Sequence, residues 1–394
     1  MVPTAISDRS ELLLPLSAAL AASLAASVYL VVKWRNNKLP PVNKESLLQT
    51  IEVMSSSQAP DFLMEKSKEL GTVFRLNMPD IAPWIIVCES SLARKILEEH
   101  DEKNWFYKQL SGLGYGRLGI FAKNTYGEGW EWARKGVAAS FSLKNLSLTL
   151  PRLHKKLDDV ISLLNQFAAD KKEFPCGLVG TDLILDFLMT SMFETDLRTI
   201  HDESEGKLFE HKCSAMMKEF GMKQPLNPLR RYMFWDKEVQ QAKQFRDEVY
   251  SFLFSLIQKY RETHTPEETA SDTSIMGALM RRFSYLFLFT ALLTRSTRCS
   301  PYPSELHRAV DMFTFVVAGH ETTGYSLSWI LIEICRHPEV YIKIIEELQL
   351  KIPSNTTHLS FNDVCNLPYL DMVIKEGIRL WPVTGAFIET PRLF

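Results

Sequence analysis

The chain has 394 residues, of which 46% are hydrophobic and 23% are charged, a composition typical of an ordered globular protein. Its 45 basic and 47 acidic residues give a net charge of -2, so it lacks the basic excess that a nucleic-acid partner requires. Its six cysteines are scattered without zinc-like or C-x-x-C spacing, and we expect them to be reduced thiols.

The N-terminal region predicts a single membrane anchor over residues 12–32. This stretch contains no charged residue and is long enough to cross a bilayer. A cleaved signal peptide is the alternative, because small residues at 22–27 could be cut. A signal peptide, however, should have a basic leading region and a shorter apolar core. The sequence therefore favours an anchor.

Charges on either side of the anchor predict its orientation. Lys33, Arg35 and Lys38 follow the apolar stretch, and the positive-inside rule places such residues in the cytosol. Residues 1–11 are then a short non-cytosolic tail. Residues 33–41 are basic and end in two prolines, so we expect a stiff hinge between the anchor and the body of the protein.

The body, residues 42–394, is predicted to be a single mainly α domain with a small β-sheet region. Two β-rich runs at 72–76 and 84–87 flank a Pro79-Asp80 turn and predict a hairpin. No internal repeat of solenoid length is visible. Apolar residues at helical spacing predict long helices over residues 153–167, 183–193, 239–260 and 306–336.

Residues 283–303 do not fit the helical pattern around them. The segment starts apolar and continues as a run of Thr, Arg, Ser and Pro. Its apolar part is too short to span a membrane, so a buried or interfacial helix is one interpretation. A retained intron or insertion is the competing hypothesis.

The most informative motif lies in the last long helix, where residues 315–323 read Phe-Val-Val-Ala-Gly-His-Glu-Thr-Thr. A buried helix needs a reason to carry Gly, Glu and two Thr. Glycine lets a partner approach the backbone, and a threonine hydroxyl can take over a carbonyl and leave a local widening or kink. The Glu-Thr pair can relay protons. The alternative is a satisfied polar patch where two helices cross.

Two residue pairs share a helical face elsewhere in the chain. Glu376 and Arg379 are three residues apart, and their apolar flanks predict an inward-facing structural pair rather than a weak surface ion pair. Trp130 and Arg134 lie one turn apart, where an indole N–H and a guanidinium can clamp an anion. A cation–π or packing pair is the alternative for the second pair.

Two other motif matches are excluded. A zinc-protease motif starting at His320 needs a second histidine at position 324, which is Gly324. The glycines at 114, 116 and 119 have dinucleotide-site spacing, but no clear strand precedes them.

Taken in this order, the motifs resemble those of membrane-anchored cytochrome P-450 monooxygenases of the endoplasmic reticulum. Residues 318–323 are similar to the long distal helix of that family, and Trp130 with Arg134 to its haem-propionate-binding helix. Glu376 and Arg379, followed by Trp-Pro, are similar to the Glu-x-x-Arg helix. The resemblance implies a cytochrome P-450-like haem-monooxygenase fold, mainly α with a small β-sheet region.

The resemblance also implies roles for individual residues. Ala318 and Gly319 would lie against the distal face of haem b, while Glu321 and Thr322 would deliver the protons that dioxygen cleavage needs. The remaining roles would be propionate binding by Trp130 and Arg134, structural bracing by Glu376 and Arg379, and substrate binding by Thr314, Val317 and Val383.

The family further requires a proximal cysteine thiolate, which pushes electron density onto the haem iron and favours O–O cleavage. In the family this ligand lies in a glycine-rich loop beyond the Glu-x-x-Arg motif, whereas all six cysteines here precede Glu376. We therefore expect that the printed chain stops before this loop and is inactive by itself.

Two functions follow as hypotheses. The first is a haem-thiolate monooxygenase that inserts one atom of O2 into an apolar small molecule, with electrons from NADPH-cytochrome P-450 reductase. It would be a single-pass protein held in membrane lipid of the endoplasmic reticulum, with its catalytic domain facing the cytosol. The alternative is a non-catalytic, truncated, membrane-tethered helical binding protein.

Overall fold

The computed structural model of the protein describes residues 40–56, 58–78, 84–99, 118–121, 130–200, 205–281 and 304–383. The predicted tail, the anchor, most of the hinge and the segment 283–303 lie outside these residues. The chain divides into two compact units, Met1–Lys95 and Ile96–Phe394. The sequence predicts one domain from residue 42 onward, and that boundary stays a prediction.

The described part of the first unit contains two helices and the predicted hairpin. Strands β1 and β2 pair antiparallel with Val73 opposite Val87, and the turn between them lies outside the described residues. Ser46 caps α1 in a reciprocal capping box with Gln49. The elements are α1 (Leu47–Met54), α2 (Ala59–Leu70), β1 (Val73–Leu76) and β2 (Trp84–Val87).

The second unit's described part contains α-helices joined by loops, together with a π-helix (Met217–Lys223) and two 3-10 helices (Ala139–Phe141 and Pro228–Tyr232). Helix α3 (Ser90–Glu99) crosses the boundary between the two units. The helices that follow are α4 (Trp130–Ala138), α5 (Leu143–Ser147), α6 (Leu150–Asp170), α7 (Cys176–Phe193), α8 (Glu205–Met216), α9 (Gln224–Leu226), α10 (Lys237–Thr263), α11 (Pro266–Ser271), α12 (Ile275–Met280), α13 (Glu305–Arg336), α14 (Pro338–Lys351), α15 (Phe361–Cys365) and α16 (Pro368–Leu380). The prediction of a mainly α fold with a small sheet is confirmed.

The core of the second unit forms around α13, which packs along α7 and also contacts α10 and α12. Tyr250 of α10 lies against Phe313 of α13 with ring centroids 5.8 Å apart. Leu185 and Met189 of α7 are fully buried in the same cluster. The apolar faces of the long helices therefore meet in one core, as their helical spacing predicts.

Helices α7 and α13 approach each other most closely at two glycines. A Cβ added at Gly324 would lie 2.6 Å from Thr181 Cα, and one added at Gly180 would lie 2.7 Å from the Gly324 carbonyl oxygen. Ser328 of α13 also donates to the Cys176 carbonyl at 2.9 Å. The two helices are thus in backbone contact, which only residues without a side chain allow.

Helix α7 is also the described helix that has the length and hydropathy to cross a membrane. Two-thirds of its apolar stretch, 67%, is buried inside the protein. Burial of this extent is common for a core helix, so the finding is weak evidence for a membrane span. The predicted anchor at 12–32 is a different segment.

Helices α6 and α7 share a buried ionic network. The side chain of Lys156 is 3% exposed, and its Nζ lies 2.6 Å from Asp196 and 3.9 Å from the fully buried Asp186. Asp186 Oδ1 accepts from both the backbone N–H and the hydroxyl of Thr199, at 2.8 and 2.6 Å. The network fixes the segment after α7 onto the two helices.

A carboxylate on α14 caps the start of α16. Glu347 accepts hydrogen bonds from the backbone N–H groups of Tyr369 and Leu370, at 2.9 and 3.0 Å. These N–H groups have no partner inside their own helix, and the helix dipole favours a negative charge at this end. Burial raises the pKa of Glu347, but these hydrogen bonds and Lys351 outweigh burial, so the pKa lies below its usual value.

Glu347→Gln is expected to lower the urea midpoint of unfolding at pH 7. Because the folded-state pKa is lowered, the stability that the carboxylate adds is present above pH 4.5 and disappears as the pH falls through the folded value. The difference between wild type and variant should therefore shrink at pH 3. Glu346→Gln, at the exposed neighbouring position, is the control and should show no such difference. Equal midpoints for both variants at pH 7 would contradict the cap.

Candidate functional site

The motif singled out from the sequence lies in the middle of α13, which runs without interruption over Glu305–Arg336. Val316, Val317 and His320 are buried, whereas Ala318 is exposed. The helix therefore has a small window at Ala318, an exposed position flanked by buried Val317 and half-buried Gly319, and Thr323 further along is exposed as well. Because alanine is a small residue, this window leaves room for a flat apolar group beside the helix.

Gly319, next to this window, is placed against α7. A Cβ added at Gly319 would come within 2.7 Å of Leu188 Cδ1. The direct observation is thus that Gly319 allows Leu188 to pack onto α13. Its predicted place against a haem face stays a prediction.

Two threonines of α13 bond backward along the helix. Thr322 Oγ1 donates to the Ala318 carbonyl at 2.6 Å, and Thr314 Oγ1 donates to the Val310 carbonyl at 2.8 Å. The predicted hydroxyl–carbonyl bond is present. The predicted widening of the helix is absent, because α13 is a continuous α-helix here. The Ala318 carbonyl accepts the Thr322 hydroxyl without a break in the helix.

Glu321 points to α8 rather than to Thr322. Ser214 Oγ lies 2.7 Å from a Glu321 carboxylate oxygen and 3.0 Å from a Glu210 carboxylate oxygen. Both carboxylates are half-buried. The two members of the predicted proton pair, Glu321 and Thr322, therefore bond to different partners in this structure.

His320 lies beside these carboxylates. Its side chain is 1% exposed, its Nδ1 is 2.9 Å from the Val316 carbonyl, and its Nε2 has no hydrogen-bond partner among the described residues. Glu210, His320 and Glu321 each present a ligand-type atom, and these atoms lie within 4.8 Å of one another. Sequence reasoning missed Glu210 and Ser214, because they belong to α8 and lie more than a hundred residues before Glu321.

Burial raises the pKa of the Cys213 thiol well above its usual value, and the carboxylates of Glu210 and Glu321 raise it further. Burial also raises the pKa of Tyr325, again with a contribution from both carboxylates. The negative field of the two glutamates therefore reaches neighbours on both helices. Cys213 remains a neutral thiol there and is a poor candidate for a thiolate ligand.

The predicted anion clamp lies on α4. Trp130 is partly buried and packs against the core, whereas Arg134 is exposed. Ala133 and Val137 of the same helix are fully buried. Arg134 forms no ion pair with any described residue.

Glu376 and Arg379 form the ion pair that their spacing indicates. Arg379 Nε and Nη2 each donate to a Glu376 carboxylate oxygen at 2.7 Å. The prediction of an inward-facing pair is wrong for this structure, since the side chains are 56% and 66% exposed. The reason is that α16 turns its opposite face to the protein, where Gly377 is the buried residue of the helix.

The three predicted substrate contacts are not grouped together. Thr314 is half-buried on α13, and Val317 is buried in the main core cluster. Val383 follows α16 and is exposed. Their substrate role stays a prediction.

The residues present suit the distal face and a propionate of haem. The small side chain of Ala318 suits a flat apolar ring, and the exposed guanidinium of Arg134 suits a carboxylate. The distal and propionate contacts therefore fit, and the proximal ligand is not part of the described site.

The family model described as cytochrome P-450 matches residues 40–392. Bifunctional cytochrome P-450/NADPH–P-450 reductase 2 of Bacillus subtilis (strain 168) is 23% identical over 355 residues, which is 89% of this chain and 30% of the relative. Cytochrome P-450 71B35 of Arabidopsis thaliana is 24% identical over 333 residues, which is 83% of this chain and 63% of the relative. The chain thus spans less than two-thirds of either relative.

A solved structure has the same fold. The crystal structure of a cytochrome P-450 (CYP102L1) aligns with a TM-score of 0.67 at 16% identity, covering 83% of this chain and 70% of that one. At this identity the likeness shows the fold alone. Since the family model also matches most of the chain, from residue 40 to residue 392, the protein belongs to the cytochrome P-450 family.

Proposed function

We propose that this chain is part of a haem-thiolate monooxygenase that inserts one oxygen atom of O2 into an apolar small molecule. The observation that carries the proposal is the window at Ala318, an exposed small residue of α13 next to the buried Val317, with the half-buried Glu321 and Thr322 beside it. Haem b, when bound, supplies the activation of O2. Membership of the family implies a haem cofactor.

The chain's own residues bind and orient the haem. The indole N–H of Trp130 and the guanidinium of Arg134 would hold a propionate, because both donate and the second carries a positive charge. Ala318 and Gly319 would lie against the distal side of the haem. Val317 and its core neighbours exclude water from that side of the helix.

Proton handling falls to two groups on α13. Thr322 Oγ1, which donates to the Ala318 carbonyl at 2.6 Å, keeps lone pairs that accept a proton beside the window. Glu321 is held by Ser214 and exchanges protons with the surrounding water, since its carboxylate is half-buried. Because the two side chains bond to different partners here, proton transfer from Glu321 to Thr322 would need a bridging water or a rotation of the Glu321 side chain.

The remaining predicted residues bind substrate or stabilise the fold. Thr314, Val317 and Val383 contact the apolar substrate. Glu376 and Arg379 serve as a structural pair through their two-pronged hydrogen bond.

An NADPH-cytochrome P-450 reductase is the electron donor that we propose. Support comes from two bacterial relatives whose names describe a P-450 and an NADPH–P-450 reductase in one bifunctional protein. We further propose a single-pass anchor at residues 12–32 in membrane lipid of the endoplasmic reticulum, with the catalytic domain in the cytosol. The support for the anchor is its uncharged length followed by basic residues.

The test is the absorption spectrum of the reduced protein under carbon monoxide. The protein expressed from its native transcript should show the shifted Soret band of a thiolate-ligated haem. The 394-residue polypeptide should not show that band by itself, because it has no cysteine after Glu376. A native protein that binds no haem would contradict the proposal and favour a non-catalytic, membrane-tethered binding protein.

A further inference from the structure

We propose that Glu210, His320 and Glu321 form a binding site for a Zn²⁺-class transition-metal ion between α8 and α13. The three side chains come from two helices, and their ligand-type atoms lie within 4.8 Å of one another. The site shares Glu321 with the proposed proton pathway, whereas the proposed haem contacts are Ala318 and Gly319 on α13 and Trp130 and Arg134 on α4.

The hydrogen bond of His320 prepares its ring for a metal. Nδ1 lies 2.9 Å from the Val316 carbonyl oxygen, which accepts hydrogen bonds and donates none, so Nδ1 carries the proton. In the neutral imidazole, Nε2 then presents a lone pair. A metal-binding histidine usually donates its other N–H to a carbonyl or carboxylate, and this arrangement fixes the tautomer and the ring orientation.

The Nε2 atom is also short of a partner. The His320 side chain is 1% exposed, and no described group hydrogen-bonds to Nε2. A buried acceptor without a partner destabilises the fold, because its desolvation is not compensated. A bound cation removes this penalty.

The carboxylates of Glu210 and Glu321 also have few partners among the described residues. Ser214 has one hydroxyl proton, yet its Oγ lies 3.0 Å from Glu210 and 2.7 Å from Glu321, so it donates to only one of them at a time. Neither glutamate forms an ion pair with a lysine or arginine in the part of the chain that the structure describes. The two carboxylates therefore share the one hydroxyl hydrogen of Ser214, and the ligand-type atom of His320 lies within 4.8 Å of theirs.

The donor set selects the class of ion. Mg²⁺ and Ca²⁺ prefer oxygen ligands alone, whereas an imidazole nitrogen with two carboxylates suits Zn²⁺ and its neighbours. Ligand bonds of about 2.0–2.2 Å require the three atoms to close in by roughly 1 Å, which the flexible glutamate side chains allow. Both glutamates are half-buried rather than sealed, so an ion can reach the site and keep a water ligand.

The site is tested with Co²⁺, a coloured substitute for Zn²⁺. The purified full chain is freed of metal with EDTA, titrated with Co²⁺ while visible absorption is followed, and then titrated with Zn²⁺. We expect one Co²⁺ per chain and its displacement by one Zn²⁺. His320→Gln and Glu210→Gln should each weaken Co²⁺ binding by about a hundredfold.

His211→Gln is the matched control, because His211 is exposed and follows Glu210 directly on α8. It should bind Co²⁺ like wild type. Because His320 is buried, circular dichroism is used to check that His320→Gln still folds. If His320→Gln does not fold, the test rests on Glu210→Gln. A wild-type chain that binds no Co²⁺, or a folded Glu210→Gln chain that binds it unchanged, overturns the proposal. Neither readout involves haem or turnover, so the result is independent of the proposed monooxygenase activity.

Discussion

Gly324→Ala is expected to lower the free energy of unfolding by about 3 kcal/mol, through overpacking of the α7–α13 contact. The added Cβ would lie 2.6 Å from Thr181 Cα, 2.7 Å from Thr181 N and 2.9 Å from the Gly180 carbonyl carbon. All three atoms are backbone and cannot rotate away as a side chain would. The two helices must therefore separate, and the core between them loses contacts. The urea midpoint, followed by tryptophan fluorescence, measures this loss.

Gly136→Ala is the matched control for that prediction. Gly136 lies within α4, and a Cβ added there meets nothing within 4 Å. Because alanine favours the helix, this variant should be neutral or more stable by about 0.5–1 kcal/mol. Similar midpoints for Gly324→Ala and wild type would show that the helices tolerate a wider spacing.

Lys156→Met is expected to destabilise the protein by about 3–5 kcal/mol, because it leaves the buried Asp186 without a facing cation. The methionine fills much the same volume, so the loss comes from charge rather than from a cavity. Lys155→Met, at the exposed neighbouring position, is the control and should change the urea midpoint little.

A double variant separates the charge from the packing. In Lys156→Met with Asp186→Asn, the asparagine oxygen still accepts from Thr199 while the negative charge is gone. We expect the double variant to be more stable than Lys156→Met alone. If both variants unfold at the same midpoint, the charge of Asp186 is not the cause of the loss.

Local sequence patterns were sufficient to predict the long helices and the hairpin. Helix α13 and strands β1 and β2 lie where their periodicity predicts, because burial of one face dictates spacing within a single segment. The Glu376–Arg379 ion pair formed for the same reason, since three-residue spacing places both on one helical face. Whether this face of α16 points inward or to solvent depends on how the helix packs. The prediction that the pair faces inward was therefore wrong.

Contacts between distant segments could not be predicted in this way. Ser214 and Glu321 are 107 residues apart, and no spacing rule relates α8 to α13. The charges of Lys156 and Asp186 likewise resemble solvated surface residues until the packing of α6 on α7 buries them together. Residues that act through tertiary contact are therefore the part of the candidate site that required the structure.

The contact between Gly180 and Gly324 also limits how this protein can evolve. A larger residue on one side of a helix contact is often balanced by a smaller one on the other side. Here both sides already carry no side chain, so neither helix can compensate for a change in its neighbour. We therefore expect both positions to remain glycine in any lineage that keeps this packing of α7 on α13.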